Sequence, residues 1–492
     1  MRTTITALAV AFLLSMTAAA QAQEPAANPF PAPPPPATPR LVAVPTPGDT
    51  KLPNGLRMIT VPRPGSGLVT VQLLIRSGAA GDPLGKNGRA QMVAELLTKG
   101  TKSRNATRIA DGIEQLGASL DAGVSYDSSS VTLSVLKTRV GDAMPILADV
   151  VQNPTFPADE LNRLRAQTLD ELSVAYRSPG TLARLVSSRV LFGDAPYGNA
   201  VVGTPETLGK ISREDLSAWH RREFQPSNAV VIVTGDVTAQ EASALVTKHF
   251  GAWKNPAAKS VGTIITPRGD MPRRIVVVDR PDAGQAAVYI NRLGIKQGEP
   301  DIVVAELTND ILGGGYSARL NREVRVKRGL SYGANSGLTP RLSVGPMVLA
   351  TQTKNETAGE AARVLVDELA RLGTDAPTDE EFAARKSALS GDFARSLETG
   401  SGLAGLVGEL ALYDRPLSEL QTYLSQIQAV TATQVQDFAK ARFGAANANV
   451  IIVGNAAKFL PDLKTRFPGE TVTVIPFAEL DLNAASLRKG GK

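Results

Sequence analysis

Short apolar-rich runs over residues 56–61 and 69–75 predict two strands, with the turn-forming PRPGSG between them. The spacing lengthens to a helical one over 88–97 and, after KGTKSR, over about 106–116. Residues 119–126 and 130–136 alternate and predict a hairpin of half-buried strands. Helical runs follow at about 139–151, 158–176, 180–191 and 213–224. Gly203 in VVGTPETL is read only as a loop glycine ahead of a capped helix. A short apolar run at 230–234, ending at Gly235, predicts a buried strand that closes the unit.

That order of elements recurs. ISREDLSAWHRREFQPSNAVVIVTGD, from Ile211, is answered by VTATQVQDFAKARFGAANANVIIVGN, from Val430. Phe224 matches Phe443, Asn228 matches Asn447 and Gly235 matches Gly454, all at one constant offset. RMITVPRPGSG from Arg57 is likewise answered by RIVVVDRPDAG from Arg274, at almost the same offset. Two patches that agree so closely imply a duplicated α+β unit, and a period this long is not that of a solenoid. Strands in blocks separated by helix pairs predict, in each half, a mostly antiparallel sheet covered by helices, the two homologous halves facing across a crevice. The halves are placed at 51–258 and 274–478, with a polar, basic linker at 259–273 and a tail at 479–492.

At 492 residues the chain exceeds one ordinary core, and 43% hydrophobic with 20% charged residues describes a soluble globular protein. The net charge of +6, with no basic run interleaved with aromatics, argues against nucleic acid as a partner. There is no cysteine, which excludes disulfides, thiolate metal sites and cysteine nucleophiles. Residues 1–22 carry Arg2, an apolar stretch at 5–16 and the small-residue pattern Ala20-Gln21-Ala22, so they read as a cleaved secretory signal. That stretch is too short for a membrane anchor, and no other apolar run approaches the about 20 residues of a bilayer span. Periplasmic location without a transmembrane segment is expected. Residues 23–50 are proline-dense and predict a stiff spacer, with the folded part beginning near Lys51.

Chemistry concentrates in LGGGYSARLNREVRVKRGLSY, from Leu312 to Tyr332. Gly313, Gly314 and Gly315 break the chain, a helical run carries Leu320 and Val324, and Gly329 stops it before an extended segment. Arg325 and Tyr332 stand close in sequence, so a helix-to-strand corner could aim a cation and a phenol hydroxyl into one cleft. Such a donor pair can hold a peptide carbonyl and stabilise charge that develops on it. The alternative is that Arg325 pairs with Glu323 or another helix carboxylate while Tyr332 packs in a core. Most of the crowded arginines here (Arg319, Arg322, Arg325 and Arg328) are expected to be solvated. The glycines could contact extended peptide or form a tight helix-entry turn, and they lack the Lys-Ser/Thr pair of a phosphate loop.

KGTKSR, REDLSAWHRREFQPSN and GGGYSARLNREVRVKRGLSYG, together with the repeat, resemble the pitrilysin and mitochondrial-processing-peptidase family of inverted zincins. The likeness is greatest to its shorter bacterial members, in which two subunits combine into one peptidase. In catalytic members the helix before KGT carries H-x-x-E-H, two zinc ligands and a general base. Here it reads GRAQMVAELLTKGT: Gln91 and Glu95 stand in the histidine positions, and Ala94 in that of the base. The family's distal glutamate ligand falls on Glu171. An oxygen-only set of Gln91, Glu95 and Glu171 suits zinc poorly. The only histidines, His220 and His249, are in no ligand-like spacing. No metal or other cofactor is therefore expected on this chain, and Glu171 is read as a plain helix charge.

The resemblance also implies that Arg325 and Tyr332 grip the scissile carbonyl, and that Gly313, Gly314 and Gly315 contact substrate. The function this implies is that of the non-zinc subunit of a heterodimeric zinc endopeptidase acting on unfolded peptides. A homologous partner would supply zinc and H-x-x-E-H, and this chain would be inactive alone. The alternative is a non-catalytic scaffold or peptide-binding protein of peptidase-like fold. A serine hydrolase finds no support, since two isolated histidines form no Ser-His-Asp grouping.

Overall fold

The computed structural model describes residues 43–254 and 272–490. The leader, most of the proline-dense spacer and most of the linker lie outside the described residues. In the first half the chain forms β1 (Gly48–Lys51), β2 (Arg57–Pro62), β3 (Leu68–Ile75), α1 (Arg89–Leu96), α2 (Ala106–Glu114), β4 (Ser119–Val124) and β5 (Ser129–Leu136). It continues with α3 (Val140–Gln152), α4 (Ala158–Ala175), α5 (Pro179–Phe192), α6 (Arg213–Glu223), β6 (Ala229–Gly235) and α7 (Ala239–Phe250). β1 begins ahead of Lys51, so the end of the expected spacer is already strand, paired with β2.

The second half repeats the plan with β7 (Ile275–Asp279), β8 (Ala286–Leu293), α8 (Ile302–Gly313), β9 (Ala334–Leu338) and β10 (Pro346–Thr353). Then come α9 (Ala358–Arg371), α10 (Asp379–Glu398), α11 (Gly400–Leu412), α12 (Glu419–Ala429), α13 (Ala432–Arg442), β11 (Asn449–Gly454), α14 (Ala456–Arg466) and β12 (Val472–Pro476). Among the described residues no helix is long and apolar enough to cross a membrane.

Each half builds one six-stranded sheet, ordered β1-β2-β6-β3-β5-β4 in the first and β12-β7-β11-β8-β10-β9 in the second. Both are mostly antiparallel, the parallel pairs being β2–β6, β7–β11 and β12–β7. The duplication reaches the register. Leu73 faces Val231 across β3 and β6, and Ile290 faces Val450 across β8 and β11. Leu73 is related to Ile290, and Val231 to Val450, by the same two offsets that relate the repeated motifs. The outermost strands differ because β1 enters by a short turn and runs antiparallel, whereas β12 returns after α14 and runs parallel.

Side chains alternate between the faces of a strand. On the inward face of the first sheet, Val69, Val71, Leu73 and Ile75 pack with Met92, Leu147 and Trp219 from its own helices. The other face carries Thr70, Gln72 and Thr234 and is covered by α11 of the opposite half. Glycines let that helix settle: a Cβ on Gly400 would stand 2.7 Å from Thr70 Oγ1, and one on Gly408 would stand 2.9 Å from Gln72 Oε1. The Thr234 hydroxyl donates to the Gly400 carbonyl at 2.8 Å.

The exchange is reciprocal. Helix α5 of the first half lays Leu182, Val186 and Val190 on Val276, Val278, Ile451 and Val453 of the second sheet. Asn291 Nδ2, on that face, donates to the Ser187 carbonyl and hydroxyl, both at 2.7 Å. The expected tail is folded through residue 490: Leu482 and Leu487 join this core, and Arg189 Nε donates to the Leu482 carbonyl at 2.9 Å. Beside α5, where the halves meet, a pocket of about 250 Å³ remains. Burying a leucine or valine side chain contributes about 1.5–3 kcal/mol, so the swapped helices are a large part of what joins the halves. Leu182→Ala is expected to cost about 2–5 kcal/mol. In hydrogen exchange it should speed the amides of β8 and β11, in the half that does not contain it, before those of β3 and β6. Unchanged exchange in β8 and β11 would refute this account.

Candidate functional site

The turn that carries Arg325 begins where α8 ends. Gly313 is the last residue of that helix and is buried. The triplet is thus a helix exit and not an entry turn. A Cβ on Gly313 would stand 2.2 Å from the Ser336 backbone nitrogen, and one on Gly314 would stand 1.8 Å from Asp310 Oδ1. A larger residue at Gly313 would push β9 off α8, and one at Gly314 would collide with Asp310 of the same helix. One short turn, Arg319–Asn321, buries Leu320 and leads into a π-helical segment, Arg322–Lys327, whose wider turn carries Val324 inward and Arg325 outward. Gly329, at φ +62°, reverses the chain, as a residue without Cβ can do at no steric cost.

This brings Arg325 and Tyr332 together. Arg325 Nη1 donates to the Tyr332 carbonyl at 2.8 Å, and the guanidinium lies 5.0 Å from the centroid of the Tyr316 ring. The Tyr332 side chain reaches into solvent, the residue being 89% exposed. Neither half of the alternative occurs: Tyr332 is in no core, and Glu323 pairs with Lys327 and Arg328. Arg319 is taken by Glu381 through two 3.0 Å bonds and Arg322 stands 3.6 Å from the same carboxylate. Of the four arginines, only Arg319 is drawn out of solvent. Among the described residues Arg325 has no ion-pair partner. Tyr316 was not singled out from the sequence, although it sits next to the glycines in the same motif.

Helix α1 lies across the first half. The Asp82 carboxylate holds its start, accepting from the Gly88 and Ala90 amides at 3.1 and 3.2 Å. Burial raises the Asp82 pKa to about 6 although Arg89 stands beside it. One turn on, Gln91 Nε2 donates to Glu95 Oε1, which ties the amide to the carboxylate. Ala94 is buried and offers no donor atom. Glu171 is exposed on α4 and accepts from Gln167 Nε2 at 2.8 Å. A pocket of about 280 Å³ beside Glu95 is lined by Lys99 and Arg163 as well as Asp121.

Residues 57–204 match the model of the insulinase family, peptidase family M16, and residues 210–389 match that of the peptidase M16 inactive domain. The chain belongs to the M16 peptidase family. A Mycobacterium tuberculosis protein named an uncharacterized zinc protease is 29% identical over 408 residues, 81% of this chain and 92% of its own length. A Helicobacter pylori protein named a non-peptidase homolog is 27% identical over 395 residues, 79% of this chain and 89% of that relative. Among solved structures, a peptidase M16 inactive domain from Pseudomonas fluorescens superposes with a TM-score of 0.78 at 28% identity. That match covers 87% of this chain and all of the other.

The M16 zinc does not fit the residues of this α1. An amide and a carboxylate stand in place of the two histidine nitrogens, the base position is a methyl group, and Glu171 is engaged by Gln167. The adjoining pocket sets Lys99 and Arg163 against Glu95 and Asp121, so it holds no excess of negative charge for a divalent ion. Among the described residues no group of three His, Asp or Glu side chains is placed to hold a metal. His220 is a core residue, stacked on Phe224 at 4.6 Å with Nε2 donating to the Val151 carbonyl at 2.8 Å.

Burial holds His220 at a pKa of about 4, against 6.5 for an ordinary histidine. Because the folded value is the lower one, the unfolded chain binds the extra proton. The contribution of the neutral ring is full above about pH 6.5 and is lost as pH falls toward 4. His220→Gln is expected to flatten the fall in urea stability between pH 6.5 and 4.5; an equally steep fall in the variant would show that other groups cause it.

Proposed function

We propose that this chain is the non-zinc subunit of a heterodimeric zinc endopeptidase, exported to the periplasm and acting on unfolded peptides with a homologous H-x-x-E-H partner. The observation that carries this reading is the contrast between the two half-sites. On α1 the ligand and base positions are occupied by groups that cannot serve, whereas Arg325 and Tyr332 stand together, exposed and unneutralised. The name of the Helicobacter pylori relative is in keeping with a chain that lacks the zinc half.

Zinc held by the partner would supply the polarised water. On this chain, the Arg325 guanidinium would exchange the Tyr332 carbonyl for the scissile carbonyl of the peptide, a short swing for a long side chain. The Tyr332 hydroxyl would donate to the same oxygen. Both bonds strengthen as negative charge gathers there, so they favour the transition state over the bound substrate. The exposed main chain at Gly314 would border the extended peptide.

The test is peptide cleavage with zinc by the chain alone, by the partner alone and by the pair. Silence from each chain and activity from the pair are expected. Arg325→Ala and Tyr332→Phe should each lower the kcat of the pair by about 10²–10³ while leaving assembly, read by sedimentation, intact. Full activity in both variants would reduce this chain to a scaffold. Cleavage by the lone chain would overturn the reading of α1.

A further inference from the structure

We infer that the pocket between the two halves binds a small carboxylate carrying an apolar body. Its centre is Arg341, on the turn from β9 to β10. The guanidinium lies 4.0 Å from the centroid of Tyr126, 4.7 Å from Tyr197 and 5.8 Å from Phe192. The rings brace one another edge to face, Tyr126 on Tyr197 at 5.4 Å and Phe192 on Tyr197 at 5.6 Å. Three rings of the first half thus grip one cation of the second, and ring faces attract a cation without neutralising it.

No carboxylate completes the set. Asp127 is nearby, but it is committed to the Tyr197 hydroxyl at 2.6 Å, the Tyr413 hydroxyl at 3.0 Å and the Leu342 amide at 2.9 Å. Among the described residues Arg341 forms no ion pair, and its Nη1 is buried without a hydrogen-bond partner. Burial lowers its pKa, and the nearby Asp127 charge offsets that only in part. A guanidinium in this state has donors and charge to offer.

The pocket of about 250 Å³ lies against it. Arg184, which is exposed and also without an ion-pair partner among the described residues, lines it from α5, and no acidic residue does. The Ser188 and Tyr289 side chains add polar groups; Leu185, Val201, Val202 and Val348 supply apolar wall. A pocket lined by two arginines and no carboxylate selects an anion, and the planar fork of arginine matches a carboxylate with two parallel bonds. The apolar walls reward a hydrocarbon body, which free phosphate lacks. The volume falls below that of a drug-sized site and suits one residue-sized ligand. The last residue of a peptide and a free organic acid both present this chemistry. The inference does not depend on the zinc partner.

The experiment is calorimetry on the purified chain with three probes: N-acetyl-leucine, a tripeptide ending in leucine as the free acid, and the same tripeptide amidated. The acids should bind about ten- to a hundredfold more tightly than the amide, as removal of a charged hydrogen-bonding group predicts. Binding of both acids supports the pocket and assigns it to peptide termini. Binding of N-acetyl-leucine alone supports it and assigns it to free acids. Arg341→Met should abolish acid binding, and Arg184→Gln, on an exposed helix position that leaves the ring cage alone, should weaken it about tenfold. Equal binding of acid and amide, no binding of either acid, or affinities unchanged in the variants that fold would overturn the inference.

Discussion

A sheet has two faces, and the helices of each half cover only one of them. The second face must be covered by something, and here each half lends the other a helix, α5 going one way and α11 the other. On the second sheet this face is mostly apolar, and α5 meets it with leucine and valine. On the first sheet it carries Thr70, Gln72 and Thr234, and α11 meets it with glycines and a hydroxyl-to-carbonyl bond. The fit there is close but not complete, since Gln72 Oε1 is buried without a partner. Neither half can therefore be regarded as finished on its own. The pocket at Arg341 takes its position from this interlock, lined as it is by α5 of one half and by β8 and β10 of the other.

Much of this plan was legible in the residues. Alternation placed the strands, helical spacing placed the helices between them, and the twin offsets reappear unchanged in the register of the sheets. The destination of α5 and α11 was not legible. Helical periodicity shows that a helix needs an apolar surface, and says nothing about whose. Nor did the C-terminal segment announce itself: Leu482 and Leu487 are two apolar residues without a period, and their burial depends on a surface that α5 creates.

The candidate site divides in the same way. The spacing of Arg325 and Tyr332 was visible, and so was the stop at Gly329. The π-helical turn was not, because its wider hydrogen-bond spacing leaves no periodic mark over a single turn. The role of the glycines depends on what lies against them. Gly313 is required by the approach of Ser336, which the chain reaches only after the whole turn and the start of β9. A reader of the local motif sees only that the chain can turn there.

The charges on that turn explain why one arginine among several is left available. Glu381 takes Arg319 and stands within reach of Arg322, while Glu323 takes Lys327 and Arg328. Carboxylates on both sides of Arg325 are thus committed, and what remains for it is a ring face and a main-chain carbonyl. Both contacts are weaker than an ion pair in which each charge is satisfied, and both can be exchanged without leaving a buried charge behind. Tyr316, Val326 and Tyr332 stand beside this cation at 67%, 62% and 89% exposure. Apolar and aromatic surface gathered around an unneutralised donor is what an isolated, solvent-facing turn would shed. It is the composition of a surface suited to being covered, with a cation at its centre whose present contacts are ones it can give up.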